Sequence, residues 1–579
     1  MKKVVSLLLA LMLLVSASAV AENAFTAGSY EASAQGFGGP VTVTVTVSDT
    51  EITAVAISGE GETPALGGAA IDALDDKILA AQTPNVDALA GATVTCDAVI
   101  KAATEALVAA GADIAVLDAN RKDTGAAAAK EAVTMDVDVV IVGAGGAGMA
   151  AAITAKQAGM NVVVLEKMAY VGGNTTKATG GMNAAESHYQ KEQGIEDSVA
   201  QFVEDTMVGG KNISNRELVE MMAKSSAGAI EWLDTINAPL PKVSFSGGAT
   251  NARIHAPADG SAVGNYLVAA FSDKLAELGV DVMLGTKATE IIMQGNKAAG
   301  VLATSDTADY TINAKAVILA TGGFGANEDM YTQFRPDLKG TVTTNAPGAT
   351  GDGIVMAQAV GAALVDIEQI QLHPTVEQTT SIMVTEGVRG DGAILVSQEG
   401  KRFINEMETR DVVSAAELEL EGAYAYIIFD QRLREGLKAI EKYVTNGITV
   451  QADTIEGLAE QLAIDPATLA QTLADWNKVV ETKNDEAFGR TTGMEENLSV
   501  APYYAIKIAP GIHHTMGGVK INTAAEVVNE AGNVIEGLYA AGEVTGGIHG
   551  GNRLGGNAVA DIVIFGRIAG TNASAYAGK

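Results

Sequence analysis

A chain of 579 residues is too long for a single hydrophobic core, and the usual domain size divides it into about three or four folding units. Its 70 acidic residues against 38 lysines and arginines leave a formal net charge of -32. That field repels nucleic acid and anionic lipid, so an anionic substrate would depend on local Arg and His. The one cysteine, Cys96, excludes an intramolecular disulfide, a CxxCH haem site and a cysteine-ligated iron–sulfur or zinc centre, so a redox centre in this chain has to be organic.

Residues 1–21, MKKVVSLLLALMLLVSASAVA, combine two lysines, an apolar run and small residues at Ala19 and Ala21, the pattern of a secretory signal peptide cut before Glu22. No cysteine follows the cut to anchor a lipid, and no later apolar run reaches membrane-spanning length. The expectation is an exported, soluble protein, periplasmic or extracellular. VTVTVTV (41–47) alternates with the period of a half-buried strand, and a turn at Ser48–Asp49 leads into ITAVAI (52–57), which predicts a hairpin. Helical patterns follow over 69–82 and 97–110, the second opening on Asp97 as its N-cap. Residues 22–118 therefore read as a small α+β domain. The stretch 119–133, ANRKDTGAAAAKEAV, has no apolar stripe and reads as a linker.

DVDVVIVGAGGAGMAAAITAKQAGMNVVVLEK (136–167) predicts strand, glycine turn, helix and strand. Gly143, Gly145 and Gly148 make GxGxxG in that setting, and Glu166 ends the unit. The first glycine permits the tight turn, and the second lets a pyrophosphate approach the helix N-terminus. The acid can take a ribose hydroxyl. NAD and FAD both use this unit. AKAVILATGGFG (314–325) and GLYAAGEVTGGIHGGNRLGGNAVADIVIFGRIAG (537–570) add two more strands running into glycines, and an extended FAD touching three parts of the chain fits them better than NAD.

Three of the six histidines lie in short motifs, His373 in IQLHPT (370–375) and His513 and His514 in GIHHTMGG (511–518). Between them come VTEGVRGDGAILV (384–396) and GKRFINEMETRD (400–411), and beyond them GGNRLGGN (550–557). Taken singly, a histidine beside Pro or Gly is more often structural, and an Arg or Glu in a loop is more often solvated or paired.

Taken together, GAGGAG, GGNTTKATGGMNAA, ATGGFG, IQLHPT, TEGVRGDGAILV, NEMETRD, HHTMGG, GEVTGG and GGNRLGGNA, in this order and spacing, resemble the flavin subunit of the soluble fumarate reductase family, flavocytochrome c type, from about Asp136 to the C-terminus. The resemblance implies an α/β fold. A Rossmann-like FAD-binding domain (134–367 joined to 513–579) would receive an inserted α+β capping domain (368–512). It also implies that Asn174, Thr175, Gly180, Gly181, Asp352, Glu543, Asn557 and Ala558 join Gly143, Gly145, Gly148 and Glu166 in holding noncovalent FAD. Arg553 and His513 would hold one substrate carboxylate, and His373 and Thr385 the other end. Arg410 would protonate the alkene carbon beside the one that receives hydride, resupplied through Glu386 and Arg389. A guanidinium ordinarily keeps its proton in proteins, so the resemblance, not titration chemistry, assigns Arg410 that part.

Two departures stand out. The family's haem attachment motif is not in this sequence, and SFSGG (244–248) places Phe245 where a family methionine is expected. The segment from Gly28 to about Leu117, with GETPALGG (61–68) and DALAGATVT (87–95), resembles the FMN-binding domain family of electron-transfer flavoproteins. There an Asp-x-x-(Ser/Thr)-Gly-Ala-(Thr/Ser) motif carries FMN, esterified through its phosphate by a flavin transferase. Asp87, Gly91, Ala92 and Thr93 match, and Ala90 departs. Thr93 is the expected attachment residue, with Thr95 the second candidate.

The expected protein is a two-flavin reductase. It passes electrons from covalent FMN to FAD, draws them from a membrane-associated or extracellular donor, reduces fumarate to succinate and binds no nucleic acid. The alternatives are reduction of another 2-enoate (urocanate, acrylate or an aryl acrylate), a flavin electron carrier without its own substrate, or the same chemistry run in the oxidative direction.

Overall fold

The computed structural model describes residues 24–62, 67–86, 92–122, 130–245 and 247–579. They fall into two compact units, Met1–Ala129 and Lys130–Lys579.

In the first unit, β1 (Gly28–Gln35), β2 (Pro40–Val47) and β3 (Ile52–Ser58) form an antiparallel sheet in that order. Val41, Val43, Val45 and Val47 of β2 are buried and the threonines between them are not. Each such valine contributes roughly 1.5–3 kcal/mol on burial. The expected hairpin is β2–β3; β1, with no β-branched run to announce it, pairs along the whole of β2. Helices α1 (Ala69–Ala81), α2 (Thr93–Ala109) and α3 (Ile114–Ala119) complete the unit. Helix α2 begins four residues before Asp97, with Ala92 at its N-cap. The expected Asp97 cap is thus corrected: Cys96, Val99 and Ala103 are all buried, so the apolar stripe runs upstream of Asp97 and packing prevails over capping preference.

The second unit starts with β4 (Glu131–Val142), whose first residues lie inside the span read as a linker because they pair with the strand at Ala308–Tyr310. The chain continues through α4 (Gly146–Gln157), β5 (Val162–Leu165), β6 (Asp281–Met283), β7 (Lys287–Gln294), β8 (Lys297–Thr304), β9 (Ala308–Leu319) and α5 (Asp352–Ala359). Next come β10 (Ile370–Val376), α6 (Glu386–Gly390), β11 (Ile394–Val396), α7 (Arg410–Leu418), β12 (Ala425–Asp430), β13 (Tyr503–Thr515), β14 (Val534–Ala540) and α8 (Asn557–Ala577). Strands β14, β9, β4, β5 and β6 lie side by side and parallel. Val139–Val142, Val162–Leu165 and Ala316–Leu319 are buried without alternation, as a sheet covered on both faces requires. This is the expected FAD-binding α/β fold.

A second sheet runs β10–β13–β12–β11. Its long strand β13 pairs with β12 through residues 503–508 and with β10 through residues 509–515. Two apolar cores result, one holding Ile370, Leu372 and Ile512 with the parallel sheet, the other running from Val384 to Ile508. Strand β13 spans both, so its C-terminal end and β10 form the seam between them. No helix among the described residues is long and apolar enough to cross a membrane.

Candidate active site

At the C-terminal end of β4 the chain turns into α4. Gly143 has φ +105°, and a Cβ there would lie 2.4 Å from the Ala320 carbonyl oxygen; one on Gly148 would lie 1.9 Å from the Gly143 oxygen. Only glycine lets β4, β9 and α4 approach so closely. Gly145 is the N-cap of α4 and sets no side chain over its first amides. Thr175 pins the turn, its Oγ1 accepting from Gly146 N–H at 3.0 Å. Glu166 follows β5, where it accepts from the Ala144 (2.9 Å) and Met168 (2.8 Å) amides and so braces the same turn. Burial raises its carboxyl above the usual range against the pull of those bonds.

Asn174 donates to Glu543 Oε2 (2.9 Å) and Asn345 Oδ1 (2.6 Å), and Glu543 Oε1 accepts from Thr515 N–H (3.0 Å). Gly180 and Gly181 lead into the short strand Met182–Asn183, and a Cβ on Gly181 would meet the His255 carbonyl at 2.2 Å. Helix α8 opens after Gly556 (φ +83°), again with no side-chain cap over the amides around Ala558. Asn557 is buried and turned to Asn183 (2.7 Å) and Thr206 (3.1 Å). The glycine turn that opens α4 and admits a backbone approach, together with the uncapped N-terminus of α8, fits the pyrophosphate and ring carbonyls of FAD. Asp352, at the head of α5, pairs with Lys167, Lys287 (3.1 Å) and Thr350 (2.9 Å).

The remaining site residues gather at the seam. Gln371 and His373 are two apart on β10 and share a face, and β13 runs antiparallel beside them. The rings of His373 and His513 lie 5.1 Å apart. His373 Nδ1 accepts from Thr375 N–H (3.3 Å), which leaves its proton on a buried Nε2 without a partner. His513 Nδ1 lies 2.8 Å from Thr344 Oγ1. Burial, reinforced by Arg410, holds both rings well below the ordinary histidine range and therefore neutral at pH 7.

Gln371 Oε1 accepts from Arg410 Nη1 and Arg553 Nη2, each at 3.0 Å, while its Nε2 donates to Asn552 Oδ1 (2.7 Å) and the Arg553 carbonyl (2.9 Å). Burial, with Arg410 alongside, pushes Arg553 down to about 9, which leaves it a cation at neutral pH. Thr385 precedes α6; its N–H donates to Tyr443 Oη (2.9 Å) and its hydroxyl lies 3.4 Å from Thr179 Oγ1.

Arg410, the first residue of α7, donates from Nε to Glu386 Oε1 at 2.6 Å, and Arg389 Nη2 lies 3.7 Å from the same oxygen. Burial works to raise the Glu386 carboxyl, but Arg410, Arg389 and Arg553 together hold it well below the carboxylate range. Arg389 is buried and donates to the Glu406 carbonyl (2.7 Å). Two guanidiniums converging on one amide, two neutral imidazoles and an Arg–Glu–Arg chain can bind a small dianion and pass a proton to it.

The structure thus gathers Arg410, Glu386, Arg389, His373, His513 and Arg553 in one place, with Thr385 at the start of α6. Gln371 and Asn552 escaped the sequence reading although both lie in quoted motifs; the two-residue spacing from His373 was the available signal for Gln371. Thr344 had none. Phe245 is 70% exposed, on a loop whose Gly248 lies against Leu554, the neighbour of Arg553. In the first unit, Asp87, Ala90 and Gly91 lie outside the described residues, and Thr93 is placed only as the first residue of α2. Thr95 is buried and donates to Glu62 Oε2 (2.7 Å), an engagement that speaks against it as the attachment residue.

An FAD binding domain family matches residues 138–559 and an FMN-binding domain family residues 36–108. The NADH:fumarate oxidoreductase of Klebsiella pneumoniae (strain 342) is 47% identical over 500 residues, 86% of this chain and 53% of that protein, so the chain spans about half its length. The urocanate reductase of Eggerthella lenta is 37% identical over 572 residues, covering 95% of this chain and 93% of that protein. Among solved structures, the open conformation of a flavocytochrome c3 fumarate reductase superposes with a TM-score of 0.68 at 42% identity, covering 77% of this chain and 79% of that one. Family matches, site geometry and fold agree: the chain belongs to the flavocytochrome c type fumarate reductase family of FAD-binding oxidoreductases and carries an FMN-binding domain before its FAD-binding domain.

Proposed function

We propose that the protein reduces fumarate to succinate. The observation that carries this reading is the convergence of Arg410 and Arg553 on Gln371, with neutral His373 and His513 beside them. Such a site offers charge and directed donors to two carboxylates. The glycine turn and the N-termini of α4 and α8 would hold FAD, which would supply the hydride for the alkene. Arg553 with His513 grips one carboxylate and His373 with Thr385 the other, which fixes the alkene for reaction. Arg410 protonates the carbon next to the one that takes the hydride. The Glu386 carboxylate takes a proton from Arg389 and passes it on to Arg410. His373, Thr385 and Arg410 come from the capping segment 368–512 and His513 and Arg553 from the FAD-binding segment, so movement between the two would gate access.

Thr93 would hold FMN, esterified through its phosphate by a flavin transferase, and that flavin would supply electrons drawn, in an exported protein, from a membrane-associated or extracellular donor. A covalent bond keeps the cofactor from being lost outside the cell. A second reading, reduction of an aryl enoate such as urocanate, is favoured by the exposed Phe245, which stands where a family methionine is expected, and by the likeness to a urocanate reductase.

The test offers fumarate, urocanate, acrylate and cinnamate separately to the reduced, FAD-loaded protein and follows flavin reoxidation. Fumarate should give the largest specificity constant. A larger constant for urocanate would favour the second reading, and reoxidation by none would leave an electron carrier.

A further inference from the structure

Behind the Arg–Glu–Arg chain lies an acid that the mechanism above does not use. Residues 410, 414 and 417 fall on one face of α7, one and two turns apart. Arg410 reaches Glu386 from the first of these positions. Ser414 and Glu417 are buried, and Ser414 Oγ and both Glu417 carboxylate oxygens have no hydrogen-bond partner among the described residues. Arg389 Nε, also buried, has none either. An ionised carboxylate left unpaired in such a place costs several kcal/mol, so the group is held as the neutral acid. Burial raises Glu417 well above the carboxylate range, and Arg389 is the cation that counters it. Glu406, the other acid bearing on Arg389, is tied to Arg402 (2.7 Å) and Arg490 (3.0 Å).

We propose that Glu417 is the proton-supplying residue behind Arg389, joined to it through a bridging water and acting in the enoate-reducing site proposed above, on which this role rests. Arg410 protonates the substrate carbon, the Glu386 carboxylate takes a proton from Arg389 and restores Arg410, and the Arg389 nitrogen so vacated regains its N–H through the bridging water as the Glu417 O–H bond breaks. The Glu417 carboxylate is then reprotonated from solvent. No electrons move in these steps, and each group ends as it began.

The test uses the full chain loaded with FAD, reduced with dithionite and mixed with fumarate or, if fumarate fails, with the other enoates, in H2O and in D2O. Glu417→Gln keeps the shape but holds no acidic proton. Glu417→Leu replaces an unpartnered acid with an apolar group and should be at least as thermally stable as the wild type. Both variants should reoxidise about tenfold more slowly at saturating substrate, with KM within twofold, unchanged flavin content and a larger solvent isotope effect. Glu417→Asp should restore much of the rate. Rates and isotope effects equal to those of an active wild type would overturn the relay alone. So would slowing with an unchanged isotope effect, which marks a structural role. A wild type that no 2-enoate reoxidises would overturn the enoate reading itself, and the relay with it. If Glu417→Gln fails to fold, Glu417→Leu carries the same comparison.

Discussion

Replacing Gln371 with leucine removes four hydrogen bonds at almost constant volume. Two come from guanidiniums, Arg410 and Arg553, at 3.0 Å each, and two go to Asn552 and the Arg553 carbonyl. Bonds with charged partners are worth about 1.5–3 kcal/mol each and the neutral ones about 1 kcal/mol. Arg410 keeps some access to water, with 11% of its side chain exposed, and recovers part of this. The expected loss of stability is therefore roughly 4–6 kcal/mol. Two like charges that shared one acceptor would separate, and a displacement near 1 Å costs on the order of a hundredfold in rate. Steady-state reduction of fumarate by Gln371→Leu should thus show kcat lowered about a hundredfold at unchanged FAD content. A folded variant with kcat/KM within threefold of the wild type would show that the arginines are positioned without Gln371.

Arg410→Ala should abolish enoate reduction and leave FAD bound, and Arg410→Lys should also be poor because an ammonium cannot span Glu386 and Gln371 together; turnover within a few fold of wild type in either would refute the acid assignment. Fumarate should be preferred over monocarboxylic enoates by about ten- to hundredfold, since His373 and Thr385 lose an anionic partner otherwise; competition kinetics decide this. Protein matured with a flavin transferase should keep FMN on a Thr93 peptide after denaturation. Thr93→Ala should lose that flavin and its activity with the physiological donor, yet still reduce fumarate with small reductants, and release of all flavin by denaturant would exclude the tether. Burial pushes His255 down to about 4 from 6.5. The unfolded chain then binds its proton first, and stability falls as pH drops from about 6.5 to about 4, by up to about 1.4 kcal/mol per pH unit. Denaturant unfolding should show a shallower slope over this window in His255→Gln, and equal slopes would refute the assignment.

The parts of this protein that depend on neighbours in the chain were legible in its residues. VTVTVTV alternates because one face of β2 is buried, and GAGGAG follows a strand and opens a helix because the turn at Gly143 admits no Cβ. The proposed catalytic roles rest on resemblance, because the motifs of the family stand in order along the chain. What long-range packing decides was not. The start of α2 at Thr93 follows from burial of Cys96 and Val99, and the binding of Thr95 to Glu62 joins residues 33 apart.

Gln371 meets Arg410 across 39 residues and Arg553 across 182, at a seam created when β13 joins two cores. No local period carries that information. Glu417 is the sharpest case: in the sequence it sits among other glutamates that are more exposed, and only the packing of α7 makes it a buried acid with no hydrogen-bond partner among the described residues. Spacing determines which residues share a face of one element. Which faces meet, and hence which charges lose their water, is decided by the tertiary structure, because desolvation depends on everything packed around a group and not on the residues beside it in the chain.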